Sequence, residues 1–335
     1  MDPARVYEAI HDEMKTVLIG NDDIIEGLTI SLLTGGHVLL EGPPGVAKTT
    51  AANLFARTIG LDYKRIQMTP DVLPADITGT HIFHEQTNEF TLQKGPIFAN
   101  VVVADEINRA SPKTQSALLE AMQEQQVTIE GETLALPEPF IVLATQNPIE
   151  MEGTFELPAA QRDRFQFKLI IDLPNRADES ELVERFKTDP ELGPASVDRV
   201  VSVDDLLSAR AAVREIYIDS SITEYILDIM AATRDHVDID HGASPRATLT
   251  FIQAVKARAA IDHREYVIPD DVKALAEPVL SHRLLLNAES ELSGLTPTEV
   301  VADVLDSVAP PGSETETDQT ATANGGFAPE STDER

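Results

Sequence analysis

Along the first 173 residues, short apolar runs alternate with helical patterns, the rhythm of a parallel α/β sheet covered on both faces. His37-Val38-Leu39-Leu40-Glu41 reads as a buried strand, and a Gly/Pro loop then leads into a helix over 49–59. Further strands are expected at 64–68, 100–104, 140–145 and 166–172. Ser111 is placed to cap a helix with Pro112 at its first position, running to about Glu124. Two hairpin-like insertions break the alternation, one over 81–92 with a polar turn, the other over 127–136 around Glu130-Gly131.

After Leu173-Pro174-Asn175 the pattern turns helical, with almost no strand signal. Helices are expected at 177–187, 203–215, 220–235, 245–261, 269–286 and 297–307, several opened by Ser, Asp or Pro. The chain therefore divides into an α/β domain over 1–174 and a smaller all-α domain over 175–309. From Pro310 to Arg335, Pro, Gly, Ser, Thr and acids dominate, so this acidic tail is expected to be disordered.

Composition narrows the classes. A chain of 335 residues, 42% of them apolar, supplies core for two domains. It has no cysteine, which excludes disulfides, thiolate zinc sites and Cys nucleophiles. No apolar run is long enough to span a bilayer, and Met1-Asp2-Pro3 leads into charged residues rather than a signal peptide, so a cytoplasmic location without membrane insertion is expected. The 57 acids against 26 basic residues give a formal charge of −31, and the tail after Ala309 holds only six of those acids. Lysines number nine against 17 arginines. An acid-rich, lysine-poor surface throughout a folded chain suits solvation in very high salt, so a halophilic source is expected. The same charge disfavours nucleic acid as a partner.

Gly42-Pro43-Pro44-Gly45-Val46-Ala47-Lys48-Thr49, followed by Thr50, lies between strand and helix. There, backbone N–H groups and the helix N-terminus can wrap phosphates, Lys48 can reach the β/γ-phosphates, and Thr49 can ligate Mg²⁺. The strict motif has Gly where Ala47 stands. Val101-Val102-Val103-Ala104-Asp105-Glu106 is an apolar strand ending in two acids; Asp105 can hold Mg²⁺ and Glu106 can polarise the attacking water. Asn147, leaving another strand, can bond the γ-phosphate and that water. Arg164, within Asp163-Arg164-Phe165, can stabilise developing phosphoryl charge across a subunit boundary. Arg246, within Ser244-Pro245-Arg246, opens a helix of the second domain and could fold over the nucleotide like a lid. The pair His81 and His84 lacks a companion carboxylate cluster, so no metal is assigned to it.

Together these stretches resemble the AAA+ ATPases, and within them the MoxR family. Gly42–Thr49 corresponds to Walker A, 101–106 to Walker B, 145–147 to sensor 1, Arg164 to the arginine finger and Arg246 to sensor 2. The most family-specific stretches are Gly95-Pro96-Ile97-Phe98-Ala99, Asp105-Glu106-Ile107-Asn108-Arg109-Ala110 and the segment 115–122. The resemblance covers about 5–308 and implies a P-loop core with a helical lid, ATP and Mg²⁺ as cofactors, and a homo-oligomeric ring, expected to be a hexamer, that remodels or matures client proteins. It also implies a partner with a von Willebrand factor A domain. The 81–92 hairpin becomes a helix-2 insert, and Val17, Leu18, Ile19 and Gly20 match a segment that lines the adenine pocket. Rival readings are a magnesium-chelatase-like motor subunit, an AAA+ nucleic-acid motor or loader, and a non-hydrolysing scaffold. The charge speaks against the nucleic-acid motor, and the presence of Glu106, Asn147 and Arg164 against the scaffold.

Overall fold

All five expected strands of the first part lie in one parallel sheet in the computed structural model, which describes residues 1–86, 88–148 and 153–312. Two helices precede it, α1 (Pro3–Lys15) and α2 (Asp22–Thr34). The Asp2 carboxylate accepts from the Ala4 N–H at 3.0 Å, with Pro3 in the first turn of α1. Then come β1 (Val38–Glu41), α3 (Lys48–Thr58), β2 (Tyr63–Gln67), α4 (Pro74–Thr78) and a hairpin of β3 (Gly79–His84) and β4 (Glu89–Lys94). β5 (Val101–Asp105) and α5 (Pro112–Glu124) lead to a second hairpin, β6 (Gln126–Ile129) and β7 (Glu132–Ala135). β8 (Ile141–Gln146), α6 (Ala159–Arg162) and β9 (Phe167–Ile170) complete the first part.

The sheet order is β2-β5-β8-β1-β9. Side chains alternate between its faces as the two-residue period requires. Val101, Val103, Ile141 and Leu143 enter one apolar cluster; Val102, Ala104, Val142 and Ala144 enter the other. Because the strands are parallel, the ends of β1, β5 and β8 and the loops after them share one edge, where open α/β sheets present their ligand crevices.

The second part is helical: α7 (Arg176–Thr188), α8 (Val203–Glu215) and α9 (Ser220–Asp235), then β10 (Ile239–His241), α10 (Pro245–Ile261), α11 (Pro269–Leu280), β11 (Leu285–Leu286), α12 (Ala288–Ser293) and α13 (Pro297–Ser307). α10 is its centre; buried Ala247, Ala254, Ala257, Ala259 and Ala260 let neighbouring helices approach closely. The apolar cluster containing α10 also contains Val6, Ile10 and Leu28, so the first two helices share a core with the second part. No helix among the described residues is long and apolar enough to cross a membrane. Of the tail expected from Pro310, residues 313–335 lie outside the described residues.

One expectation is corrected. The helix read over 269–286 stops at Leu280, and Leu285–Leu286 instead pairs antiparallel with β10. The cause is distant in sequence. The backbone turns so that buried His282 and Arg283 face the carbonyls of Phe165 and Gln166. α12 was not expected at all; Asn287 caps it, and Gly294 ends it at φ +85°.

His37, just before β1, ties the sheet to α5. Its Nδ1 accepts from the Val142 N–H at 3.0 Å, so Nε2 carries the proton and donates to Met122 O at 3.1 Å. Burial pushes its pKa down from 6.5 to about 4, against the opposing hydrogen bond to Met122. Folding thus excludes a proton that the unfolded chain takes up near pH 6.5. The resulting stability is fully present above that pH and is lost as pH falls through about 4. The difference corresponds to about 3 kcal/mol. Urea unfolding of wild type and His37→Gln across this window checks it: the wild type is expected to show the steeper acid loss, and parallel profiles would contradict the assignment.

Candidate active site

β1 ends at Glu41, and the chain turns through six residues before α3 begins at Lys48. Gly42 is required by close approach, since a Cβ there would stand 2.2 Å from the Ile171 carbonyl oxygen. Gly45 takes φ +85°. Ala47 takes φ +65° and makes no side-chain cap, so the first-turn N–H groups of α3 remain available to an anion. The missing glycine therefore leaves the loop shape intact, at a cost of about 1–2 kcal/mol for a side chain held at positive φ. Lys48 Nζ donates to the carbonyls of Gly42 at 2.6 Å and Pro43 at 2.7 Å, which folds the lysine back along the loop.

The two acids stand at the end of β5, opposite this loop. Asp105 is buried, and its Oδ1 accepts from Thr49 Oγ1 at 2.9 Å and Thr145 Oγ1 at 2.6 Å; Arg65 donates to its Oδ2. Burial alone pushes the Asp105 carboxyl up, but the bonds from Thr145, Arg65 and Thr49 and the Arg65 charge outweigh it and hold the pKa below the usual value. Asp105 is thus an anion beside the Thr49 hydroxyl. This pair of hard oxygens suits Mg²⁺, which takes one or two protein oxygens and fills its octahedron with phosphate oxygens and water.

Glu106 sits at φ +56°, a strained position for a residue with a Cβ, and its N–H donates to Thr145 Oγ1 at 2.9 Å. Its Oε2 accepts from Gln67 Nε2 at 3.0 Å and from an Arg109 guanidinium nitrogen at 2.9 Å. Asn147 follows β8 and is buried; its carbonyl oxygen accepts from Asn108 Nδ2 at 3.4 Å. Sequence reasoning missed Arg65 and Gln67. The available signal was the period of two along β2, which puts residues 65 and 67 on one face, together with the pairing of Gln67 with Asp105.

Beside the loop lies a cavity of about 310 Å³, walled by Val17, Leu18, Ile19, Gly45, Val46, Ala47, Thr50, Leu182 and Phe186. α7 forms its outer wall and is tied down by Arg185, which donates to the carbonyls of Lys15 at 2.7 Å and Thr16 at 2.9 Å. An apolar slot next to a phosphate cradle suits a flat base. Ile19, Val46 and Thr50 therefore belong to the same site as the loop. Gly20, Pro43 and Pro44 are not on the cavity wall; a Cβ on Gly20, which takes φ +65°, would stand 3.1 Å from a carboxylate oxygen of Asp178, which does line the cavity.

Arg164 and Arg246 are elsewhere. They line a separate cavity of about 260 Å³ with Gly36, His37, Gln125 and Gln253, at the beginning of β1, whereas the phosphate loop follows its end. Arg246 thus lies beside Arg164, at the opposite end of β1 from the phosphate loop of the same subunit. Ser244, which caps α10, donates to Asp163 at 3.0 Å, and this holds the helix start beside Arg164.

Comparison with known proteins agrees with this architecture. A family model described as "ATPase family associated with various cellular activities (AAA)" matches residues 37–167, and one described as "AAA lid domain" matches 231–304. The chain is 42% identical over 308 residues to Chaperone MoxR1 of Mycobacterium tuberculosis, covering 89% of this chain and 81% of that one. It is 44% identical over 301 residues to the uncharacterized protein YeaC of Bacillus subtilis, covering 90% and 93%. A solved structure from Cytophaga hutchinsonii, assigned as an ATPase, superposes with a TM-score of 0.84 at 40% identity over 92% of this chain and 96% of that one. With the parallel sheet, the phosphate loop and the paired acids in these places, the chain belongs to the MoxR family of AAA+ ATPases.

Proposed function

We propose that the protein hydrolyses ATP in a homo-oligomeric ring, with each active site completed by arginines of the next subunit, and uses the cycle to remodel or mature client proteins. The observation that carries this reading is the separation of Arg164 and Arg246 from the phosphate loop by the length of β1, so neither serves its own subunit's nucleotide. Within one subunit, Lys48 leaves the Gly42 and Pro43 carbonyls for the β/γ-phosphate oxygens. Thr49 and Asp105 would hold Mg²⁺, which would supply positive charge to the phosphate oxygens. Glu106 takes the proton of the attacking water, Asn147 orients that water, and Arg164 of the neighbour meets the charge that develops on the γ-phosphate.

Lys48→Ala is expected to lose most of its ATP affinity, because the loop keeps its amides but loses its only side-chain cation. Near-wild-type affinity in an equilibrium titration would count against the phosphate-loop assignment.

The ring is proposed to be a hexamer in the cytoplasm. Clients are proposed to be presented by a protein with a von Willebrand factor A domain, on the strength of the family resemblance. Affinity capture with Glu106→Gln, loaded with ATP, tests that partner.

The halophilic reading rests on a charge of −31 spread over both parts of the chain. Repulsion reaches about 10 Å at 0.1 M salt and about 3 Å at 1 M. The fold or the ring is therefore expected to be lost at low salt. Circular dichroism melts over a salt series measure this, and an unchanged melting temperature would refute it.

A further inference from the structure

Arg164 belongs to the turn before β9 and Arg246 to the first turn of α10, 82 positions apart, yet one carboxylate joins them. Asp163 Oδ2 accepts from Ser244 Oγ at 3.0 Å, and Asp163 Oδ1 accepts from Arg283 Nε at 2.9 Å. Arg283 is almost wholly buried, its side chain 1% exposed. It also donates to the carbonyls of Phe165 at 2.6 Å and Gln166 at 3.2 Å, and His282 Nε2 reaches Phe165 O at 3.1 Å. Residues 163–166 are therefore gripped from two sides, by the cap of α10 and by the segment after α11. Ser244 in turn accepts from the Ala247 N–H at 3.2 Å, so the same hydroxyl that caps α10 binds Asp163.

We infer that Asp163 is a positioning residue that fixes Arg164 and Arg246 as one unit for delivery to the neighbouring subunit. The inference rests on the shared-site reading proposed above. Asp163 touches no nucleotide itself; it acts through the two arginines. Both of its oxygens are engaged, each by a different element, and only a carboxylate accepts from both Ser244 and Arg283 while neutralising the guanidinium. An amide offers one acceptor oxygen and leaves the buried guanidinium without its counter-charge. The finger would still be present but loosely held, and misplacement by about 1 Å costs on the order of 10²-fold in rate.

The test is steady-state ATPase of Asp163→Asn and Ser244→Ala, alone and co-assembled with Glu106→Gln. The phosphate loop is remote from Asp163, so KM for ATP is expected to stay within about 2-fold while kcat falls, by on the order of 10²-fold for Asp163→Asn and about 10-fold for Ser244→Ala. Co-assembly with Glu106→Gln should restore part of the activity, because that subunit brings an intact arginine pair to the variant's intact loop. A variant damaged only in its fold would not recover. An unchanged kcat in both variants overturns the inference, as does a loss that mixing fails to restore while Arg164→Ala is restored under the same conditions. If Asp163→Asn does not fold, Ser244→Ala decides alone. If Arg164→Ala itself shows no recovery on mixing, the shared site fails and this inference falls with it.

Discussion

Arg164→Ala is expected to bind ATP as tightly as the wild type and to hydrolyse it roughly 10³–10⁵-fold more slowly, the range that arginine fingers supply elsewhere. The two halves of this expectation have separate causes. Binding survives because the loop, Lys48 and the cavity walled by Ile19 and Phe186 lie at the other end of β1 from Arg164. Hydrolysis fails because the γ-phosphoryl transfer needs a fixed positive charge where the leaving and equatorial oxygens gain charge, and a guanidinium presents it in a rigid planar fork. The substitution leaves Asp163 and its bonds to Ser244 and Arg283 in place, so the fold should be little affected. ATP titration and steady-state ATPase, measured on the same preparation, separate the two effects. Loss of binding would place Arg164 in its own subunit's site.

Glu106→Gln is expected to retain ATP and slow its hydrolysis by on the order of 10²-fold or more. Glutamine keeps the length of the side chain and the backbone bond from the residue 106 N–H to Thr145 Oγ1, and its oxygen can still accept from Gln67 or Arg109. It cannot take a proton. Asp105 is unaffected, since its partners are Thr49, Thr145 and Arg65, so the metal site and the affinity should survive. Single-turnover hydrolysis of prebound ATP measures the step directly. An unchanged rate would mean that another group activates the water.

What was legible in the sequence was local. Gly42–Thr49 and the end of β5 could be placed because a strand, a turn and a helix follow one another within a few residues, and parallel pairing then brings their ends to one edge. Asn147 could be placed for the same reason. Arg65 and Gln67 could not, because their role depends on β2 lying beside β5 with Gln67 opposite Asp105, about 40 residues away in sequence. The position of Arg246 depends on the Ser244–Asp163 bond, and the end of α11 on a buried Arg283 that reaches Phe165; neither leaves a periodic trace. β10 and β11, with three and two residues, are too short to show alternation. α1 carries a local signal of its own, Asp2 as the cap before Pro3.

The central claim, that one active site is built from two subunits, is tested most directly by mixing two inactive proteins. Arg164→Ala keeps its loop, Asp105 and Glu106 but brings no finger; Glu106→Gln brings a finger but has no base. At a junction where the first supplies the nucleotide site and the second supplies the arginine, every required group is present. ATPase measured on verified co-assembled rings should therefore rise well above that of either parent and peak at an intermediate mixing ratio. If Arg164 acted within its own subunit, each site would still lack one group, and no recovery at any ratio would contradict the account.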